Sequence, residues 1–105
     1  MAYRLTYFYD STNQEYSVTG YSNITISDRV VIPDTYDDGT NGEHPVTSIG
    51  SNAFLYCGSL TSVTIADSVT YIGSSAFEGC TNLKQLILFP STPPTLGSNA
   101  IPSTI

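Results

Sequence analysis

A repeat of 23 residues constrains this chain more than any other feature of its sequence. Residues 46–54 and 69–77 share the pattern Val-Thr-x-Ile-Gly-Ser-x-Ala-Phe, and the match continues without a gap through residues 57–65 and 80–88. The matched positions in this continuation are apolar or Cys in both copies. One unit of this length cannot bury its own apolar edges, so it becomes stable only by stacking on its neighbours. The spacing therefore predicts an array of stacked repeats.

Two weaker copies flank this pair. Residues 96–101 repeat residues 49–54 after a proline-rich spacer, and residues 30–35 resemble residues 63–68. The earlier copy is followed by an insert at residues 36–45, whose turn-forming residues predict a solvated loop or hairpin tip. These matches predict a degenerate repeat 24–45 that contains the loop 36–45, full repeats 46–68 and 69–91, and a partial repeat 92–105.

Within each repeat the hydrophobic period changes. The alternation near residues 62–66 and 85–89 is typical of short strands with one buried face. A second extended piece is expected at residues 46–49 and again at 69–72. In the 23-residue register the strands near 62–66 and 85–89 pair in parallel. This pairing would place Val63 beside Leu86, and Ile65 beside Leu88.

The segments that follow Gly50 and Gly73 connect these extended pieces. They are too short for an α-helix, so a 3₁₀ turn is expected in each. Phe54 and Phe77 occupy the same place in these two segments. Both phenylalanines are predicted to be buried.

The first 23 residues lie outside the repeat pattern. Tyr3, Tyr7 and Tyr9 alternate with other residues, and the turn-like residues 10–13 lead into a second alternating stretch, which is the pattern of a β-hairpin. Stacked repeats need a cap over their first apolar end. Residues 1–23 are therefore predicted to form an N-terminal β-hairpin cap, and residues 24–105 the repeat array.

The full motif, Val-Thr-x-Ile-Gly-x-x-Ala-Phe-x-x-Cys-x-x-Leu-x-x-Val-x-Ile, resembles the BspA-like (treponemal-type) leucine-rich repeat. The resemblance covers residues 46–89 strongly and 24–105 loosely. It implies a β-rich, right-handed solenoid with short parallel strands on one face and 3₁₀ or irregular segments on the convex face. It also implies bacterial or protist cell-surface proteins that mediate adhesion, often to host proteins. An extracellular or cell-surface location is expected on this basis.

The charge balance disfavours several classes of partner. The formal net charge is -6, and the three cations, Arg4, Arg29 and Lys84, are far apart in the sequence. Binding to nucleic acid or to an anionic membrane requires clustered Lys and Arg, so neither partner is expected. Membrane insertion is not expected either, because no apolar run approaches the roughly 20 residues that span a bilayer. The first residues lack the apolar core of a signal peptide, so no leader is predicted in this chain.

Two cysteines are candidates for covalent chemistry. Cys57 and Cys80 occupy the same position in successive repeats. Stacking would bring their Cα atoms within reach of a disulfide, but their side chains would then point in parallel. Two buried thiols that act as small apolar side chains are the favoured interpretation, and a disulfide remains open. Two cysteines and one distant histidine lack the spacing of a zinc site.

The insert and its surroundings contain the other candidate sites. His44 has no nucleophile or orienting group nearby in sequence, so a solvated loop histidine is expected. The acidic residues of 34–43 lack the spacing of an EF-hand loop, and a solvated acidic turn is expected there. Residues 23–25 form an N-glycosylation triplet that matters only after secretion through a eukaryotic pathway. No catalytic residue, metal or cofactor is predicted.

Three functions follow from these observations. The leading prediction is a non-catalytic binding or adhesion module that presents one sheet surface to a protein or glycan. A structural spacer that stacks end to end is the alternative, and an enzyme is disfavoured because no nucleophile or acid–base pair is apparent. The outward strand positions that would contact the partner are Thr61, Ser62, Thr64, Lys84, Gln85 and Ile87.

The C-terminal part of the sequence begins another layer. Prolines interrupt the repeat at residues 90–94, while Leu96, Ala100 and Ile101 return to its apolar positions. An array with an open apolar end is expected to pair with another edge. This end is therefore predicted to be either a point where a longer protein continues or a surface for self-association.

Overall fold

The computed structural model describes residues 4–22, 29–88 and 92–102. Within these ranges the chain is β-rich, and short strands are joined by turns without a helix. The strands are β1 (Arg4–Asp10), β2 (Glu15–Ser22), β3 (Arg29–Ile32), β4 (Thr35–Asp37), β5 (Glu43–Ile49), β6 (Ser62–Ile65), β7 (Tyr71–Ile72), β8 (Gln85–Leu88) and β9 (Thr95–Leu96).

The first sheet has the strand order β1-β2-β5-β7-β9, with β4 attached to β5. Strands β1 and β2 form the antiparallel hairpin that the N-terminal alternation predicts. Along β2, β5, β7 and β9 the pairing is parallel, with Val18 beside Ile49, Ile49 beside Ile72, and Ile72 beside Leu96. Each repeat therefore contributes one strand to this sheet, and the N-terminal hairpin adds the strand that precedes them.

The second sheet has the order β3-β6-β8 and is parallel throughout. Val63 lies beside Leu86, and Ile65 lies beside Leu88, which confirms the predicted pairing. On the other side of β6, Val30 lies beside Val63. Residues 29–32, from the degenerate repeat, thus occupy the strand position next to β6, as β8 of a complete repeat does on the other side. Residue 89, the predicted end of the last strand, lies outside the described residues.

Turns connect the two sheets, and residues 51–56 and 74–79 form successive turns rather than a continuous 3₁₀ helix. Some amides of the first segment donate within it, while the amides between them donate to the next repeat, as Phe54 N–H does to the Ala76 carbonyl at 2.7 Å. Asn52 has a positive φ of 62°, which interrupts the repeated geometry of a 3₁₀ helix. The i→i+3 hydrogen bonds of the predicted turns are present, as from the Ala53 amide to the Gly50 carbonyl at 3.2 Å. Hydrogen bonds between repeats take the intervening amides that a continuous 3₁₀ helix would need.

A single apolar cluster contains the inward-facing residues of both sheets and of the turns between them. The rings of Tyr21, Phe54 and Phe77 stack in a column, with centroid distances of 5.4 and 5.2 Å. Phe54 and Phe77 are fully buried, as predicted. The amide of Phe77 donates to the Ala100 carbonyl, which places Ile101 next in the column. The column thus supplies one large side chain per repeat to the core.

Successive repeats approach each other at backbone distance beside the repeated glycine. A Cβ atom on Gly73 would lie 2.6 Å from the backbone nitrogen of Ser51, and one on Gly97 would lie 2.5 Å from that of Ser74. The amide of Gly73 also donates to the Ile49 carbonyl at 2.7 Å. Glycine in a strand region often marks such an approach. The Gly of the Ile-Gly motif is therefore explained by packing between repeats.

The insert at residues 36–45 forms a hairpin tip, which is one of the two structures that the sequence predicts for it. Strand β4 pairs antiparallel with the beginning of β5, and Tyr36 lies opposite His44. The strands extend into the insert from both sides, so the turn itself is shorter than the predicted loop 36–45. Asp38 closes this turn, because its carboxylate accepts hydrogen bonds from the amides of Thr40 and Asn41 at 2.8 and 2.7 Å.

Replacing either buried phenylalanine of the column should destabilise the whole fold. Phe54→Ala and Phe77→Ala each leave a cavity between repeats, and we expect the free energy of unfolding to fall by about 3–5 kcal/mol. Phe8→Ala is the matched control, because the Phe8 side chain is 60% exposed; it should cost less than about 1 kcal/mol. Urea denaturation followed by circular dichroism measures all three, and equal losses would show that the column is not part of the core.

Candidate functional site

The outer surface of the second sheet brings together the residues predicted to contact a partner. Along β3 and β6 the side chains alternate between buried and accessible, because one face of each strand covers the core. The accessible positions align across the three strands in two rows. The first row is Arg29, Ser62 and Gln85, and the second is Val31, Thr64 and Ile87.

These rows line a groove of about 520 Å³, which we call the open face. Thr61 and Lys84 extend the groove at the beginning of the strands, where the Lys84 amide donates to the Thr61 carbonyl at 3.0 Å. All six residues predicted from the sequence line the groove. The open face consists of Arg29, Val31, Thr61, Ser62, Thr64, Lys84, Gln85 and Ile87.

Arg29 and Val31 were missed by the sequence prediction. They lie on β3, in the degenerate repeat, where only Val30 and Ile32 could be matched to a complete copy. The same alternation that selected Ser62 and Thr64 would have selected them. Val31 is 55% exposed, so the open face includes an apolar side chain that is more than half accessible.

Several polar side chains of the open face have no partner among the described residues. Across residues 4–22, 29–88 and 92–102, the side chains of Ser62, Thr64 and Gln85 make no hydrogen bond, and Arg29 and Lys84 make no ion pair. Hydroxyl, amide and cationic groups on an accessible surface can all bind an external ligand. The open face therefore offers hydrogen-bonding and cationic groups to a ligand around the exposed side chain of Val31.

The two cysteines are buried, as predicted, and they are not bridged to each other. The Cys80 thiol donates a hydrogen bond to the Phe54 carbonyl at 3.0 Å, which directs it into the stack of repeats. Burial raises the pKa of the Cys80 thiol to about 11. At neutral pH this thiol is therefore protonated, and a thiol in that form is a weak nucleophile and a weak metal ligand.

An aromatic cluster lies between the two hairpins. The rings of Tyr7 and Tyr36 stack at 3.7 Å, and the ring of Tyr16 meets Tyr36 edge-on at 5.1 Å. The Tyr16 hydroxyl donates to the Gly42 carbonyl and accepts from the Asp38 amide, both at 3.1 Å. The cluster therefore fastens the insert to the N-terminal hairpin. Tyr3, the first tyrosine of the predicted alternation, lies outside the described residues.

His44 is not the solvated loop histidine that the sequence predicts, because it lies in β5. Its ring is half-buried and packs against Tyr9 and Tyr16, at centroid distances of 5.3 and 6.4 Å. Its Nε2 atom lies 2.9 Å from the Asn41 carbonyl oxygen. The difference arises because His44 belongs to β5, whose pairing with β4 places it against the tyrosines. These contacts give His44 a packing role.

The acidic turn at residues 38–41 is exposed, as the sequence predicts. Hydrogen bonds from the backbone amides of Asn41 and Thr40 lower the pKa of Asp38 to about 2. The carboxylate therefore stays ionised over the ordinary pH range and serves as a turn-closing acceptor. In the described ranges no group of three His, Cys, Asp or Glu side chains is arranged to hold a metal ion. The glycosylation triplet at residues 23–25 lies outside the described residues.

No helix in the part of the chain that the structure describes is long and apolar enough to cross a membrane. This finding concerns helical spans only.

Comparisons with known proteins agree with this architecture. Residues 46–104 match the model of the BspA type leucine rich repeat region. No curated protein matches the sequence. The match covers the two full repeats and most of the partial repeat, so it includes strands of both sheets.

Solved structures of bacterial leucine-rich repeat proteins have a similar fold. A leucine-rich cell surface protein from Faecalibacterium prausnitzii is 32% identical over 89% of this chain, with a TM-score of 0.74. A leucine-rich repeat protein from Bacteroides capillosus is 33% identical over 80%, with a TM-score of 0.72. One from T. pallidum is 31% identical over 82%, with a TM-score of 0.68. This chain spans 24%, 60% and 36% of those proteins, respectively.

The cysteine geometry predicts slow thiol chemistry in the folded protein. With a thiol reagent at pH 8, Cys57 and Cys80 should react only as fast as the protein unfolds, since both are buried. After denaturation in urea, two thiols per chain should react at once. Because the folded pKa of Cys80 is about 11 against an ordinary 9.0, its contribution to stability is complete below pH 9 and declines as the pH rises toward 11. Rapid labelling of both native thiols would contradict their burial, and failure to label after denaturation would indicate a disulfide.

Proposed function

Because the chain belongs to the BspA-type leucine-rich repeat family, we propose that it is a non-catalytic binding module of a bacterial cell surface. In this proposal residues 24–105 form the solenoid, residues 1–23 cap its first apolar end, and the open face contacts a protein or glycan. The cell-surface assignment draws on the similar Faecalibacterium protein, which is described as a cell surface protein. The chain would thus provide adhesion.

The open face supports this proposal more directly than any other feature. It aligns Ser62, Thr64 and Gln85, whose side chains make no hydrogen bond in the described part of the chain, beside Val31, which is 55% exposed. Protein interfaces combine such polar groups with an uncovered apolar contact. An enzymatic role has less support, because the described lining of the groove contains no carboxylate, histidine or cysteine that could serve as an acid, base or nucleophile.

Side-chain length varies across the three strands of the open face. Its hydroxyl side chains, Ser62 and Thr64, are short and lie on the central strand β6. Longer side chains stand on the outer strands, with Arg29 on β3 and Gln85 on β8. The shorter central side chains make the floor of the groove, and a ligand that crosses the strands can approach the sheet closely there.

Filling this floor with a bulky side chain should abolish adhesion. Beads coated with the chain are applied to a monolayer of cultured epithelial cells and washed under constant flow, and retained beads are counted. Thr64→Trp should lower retention by about tenfold, because the indole occupies the centre of the contact surface. Thr12→Trp is the control and should leave retention unchanged, since Thr12 lies exposed in the β1–β2 turn.

Parent beads retained no better than uncoated beads would contradict a role in adhesion to such cells. Equal losses in both variants would show that the tryptophan acts through aggregation. Circular dichroism and the unfolding midpoint of each variant distinguish a blocked surface from a misfolded chain.

End-to-end stacking is a second candidate function, and the hydrogen bonds between repeats favour it. Turn amides of one repeat donate to carbonyls of the next, as Ser75 N–H does to the Ser98 carbonyl at 2.9 Å. Among the described residues, the corresponding amides of Asn99 and Ile101 have no acceptor. Leu96, on the last strand of the first sheet, is 51% exposed. A second copy or a further repeat would cover these groups.

Self-association through this end can be measured by sedimentation velocity over a wide range of protein concentrations. A dimer should appear as the concentration rises, and Ile101→Lys should weaken it by at least about tenfold, because the ammonium group would be buried in the contact. Ser11→Lys adds the same charge to the distant β1–β2 turn and should leave the dimer intact. A parent chain that remains monomeric at every concentration would refute self-association.

A further inference from the structure

The few cations of this acidic protein are gathered on one side of it. The chain has nine Asp and Glu residues against three Lys and Arg. Arg29 and Lys84 line the open face. Arg4 lines a neighbouring pocket of about 490 Å³, and the two depressions share Val31. The other residues that line this pocket are Leu5, Tyr7, Pro33 and Tyr36.

Strand register explains how cations far apart in sequence come together. Arg4 begins β1 and lies opposite Ser22 at the end of β2, while Arg29 begins β3 and Lys84 immediately precedes β8. Because β3 and β8 are parallel, their beginnings lie at one edge of the second sheet. This edge faces the turns that arrive from the first sheet. The fold therefore converts three isolated cations into one surface.

Most of the described carboxylates lie at the opposite ends of the strands. Asp10 pairs with Glu15 at the tip of the N-terminal hairpin, and Asp37 pairs with Glu43 in the insert. Glu78 is an exception, since it lies in a turn, and its carboxylate accepts a hydrogen bond from the Ser75 hydroxyl at 2.6 Å. No carboxylate is among the described residues that line either depression. Charge is thus segregated, with the cationic surface at one side.

The cations of this surface are available to a ligand. In residues 4–22, 29–88 and 92–102, none of the side chains of Arg4, Arg29 and Lys84 forms an ion pair. A local positive potential attracts anionic groups of a partner, even on a protein whose net charge is negative. An arginine also presents a planar fork that binds a carboxylate through two hydrogen bonds. The ligand chemistry that fits is therefore carboxylate-rich.

The neighbouring pocket specifies a second property of the ligand. Apart from Arg4 it is lined by apolar and aromatic side chains, and it adjoins the open face at Val31. An apolar side chain fits such a pocket, while carboxylates on the same molecule extend over the open face. A polypeptide supplies both groups on one backbone. A polyanionic polysaccharide supplies the charge but has no apolar side chain to fill the pocket.

Resting on the proposed role of the open face, we infer that the partner is an acidic, extended polypeptide segment that carries an apolar side chain. Its apolar side chain occupies the pocket beside Tyr7 and Tyr36, and its carboxylates lie over Arg29 and Lys84. The row from β3 to β8 spans two strand spacings, about 10 Å, which equals about three residues of extended chain. Ser62, Thr64 and Gln85 then lie below the peptide backbone and can hydrogen-bond to it.

A synthetic peptide tests this inference. The probe is a fluorescein-labelled peptide of about ten residues, in which aspartates alternating with serines follow a single leucine. Fluorescence anisotropy should show binding at low ionic strength that weakens as NaCl is added, because salt screens exposed charge pairs. A peptide with asparagine in place of every aspartate should bind at least about tenfold more weakly. A peptide with serine in place of the leucine should also lose affinity.

Variants of the protein locate the binding to the cationic surface. Arg29→Gln together with Lys84→Gln should weaken binding of the aspartate peptide by about tenfold at low salt. Ser11→Glu together with Thr40→Glu changes the net charge by the same amount at the opposite end of the strands, where both residues are exposed. This control should alter affinity by less than about twofold. Both pairs should unfold at the parent's urea midpoint.

The outcomes separate this inference from the proposed function. Equal binding of the asparagine peptide, or no effect of the Arg29 and Lys84 variant, overturns the acidic partner. If Thr64→Trp still lowers bead retention in that case, the open face remains a binding surface of other specificity. Binding of a sulfated polysaccharide without binding of the aspartate peptide also overturns the inference, and assigns the cations to a glycan. If no probe binds and Thr64→Trp leaves bead retention unchanged, both proposals fail.

Discussion

Backbone hydrogen bonds between successive repeats determine where nearly every other group of this protein lies. They form in both sheets and in the turns between them, so that one repeat follows the outline of the next. The repeats must approach closely for this pattern to exist, and at Gly73 the approach leaves no room for a Cβ atom. The column of Phe54 and Phe77 fills the core at the same spacing. Residues at equivalent sequence positions in successive repeats therefore lie next to each other in the structure.

The same alignment creates the candidate site. Residues that alternate along β6 and β8 come into register, so their outward side chains form rows across the second sheet. Arg29, from a degenerate repeat, joins Lys84 because both lie near the beginnings of parallel strands. The hairpins add the acidic residues at the far ends of the strands. A protein with a net charge of -6 can therefore present a cationic surface without a basic run in its sequence.

The repeat period predicted both the pairing of β6 with β8 and the burial of Phe54 and Phe77, because identical residues at fixed spacing occupy equivalent environments. It also selected six residues of the open face. Arg29 and Val31 were missed because their repeat is degenerate. The turns after Gly50 and Gly73 were predicted, but the interruption of their hydrogen-bond pattern was not, because local periodicity contains no information on hydrogen bonds to the next repeat. The packing of His44 against tyrosines likewise depends on a contact between two hairpins that no repeat encodes.

The close approach of repeats is tested most directly by comparing two glycine substitutions. Gly73→Ala and Gly58→Ala remove similar backbone freedom from the unfolded chain, so their difference isolates the effect of the added methyl group on the folded state. At Gly73 the methyl group would meet the Ser51 backbone, whereas nothing lies within 4 Å of it at Gly58. Urea denaturation should show that Gly73→Ala lowers the free energy of unfolding by at least about 2 kcal/mol, while Gly58→Ala changes it by less than about 1 kcal/mol. Equal stability of the two variants would contradict stacking at backbone distance.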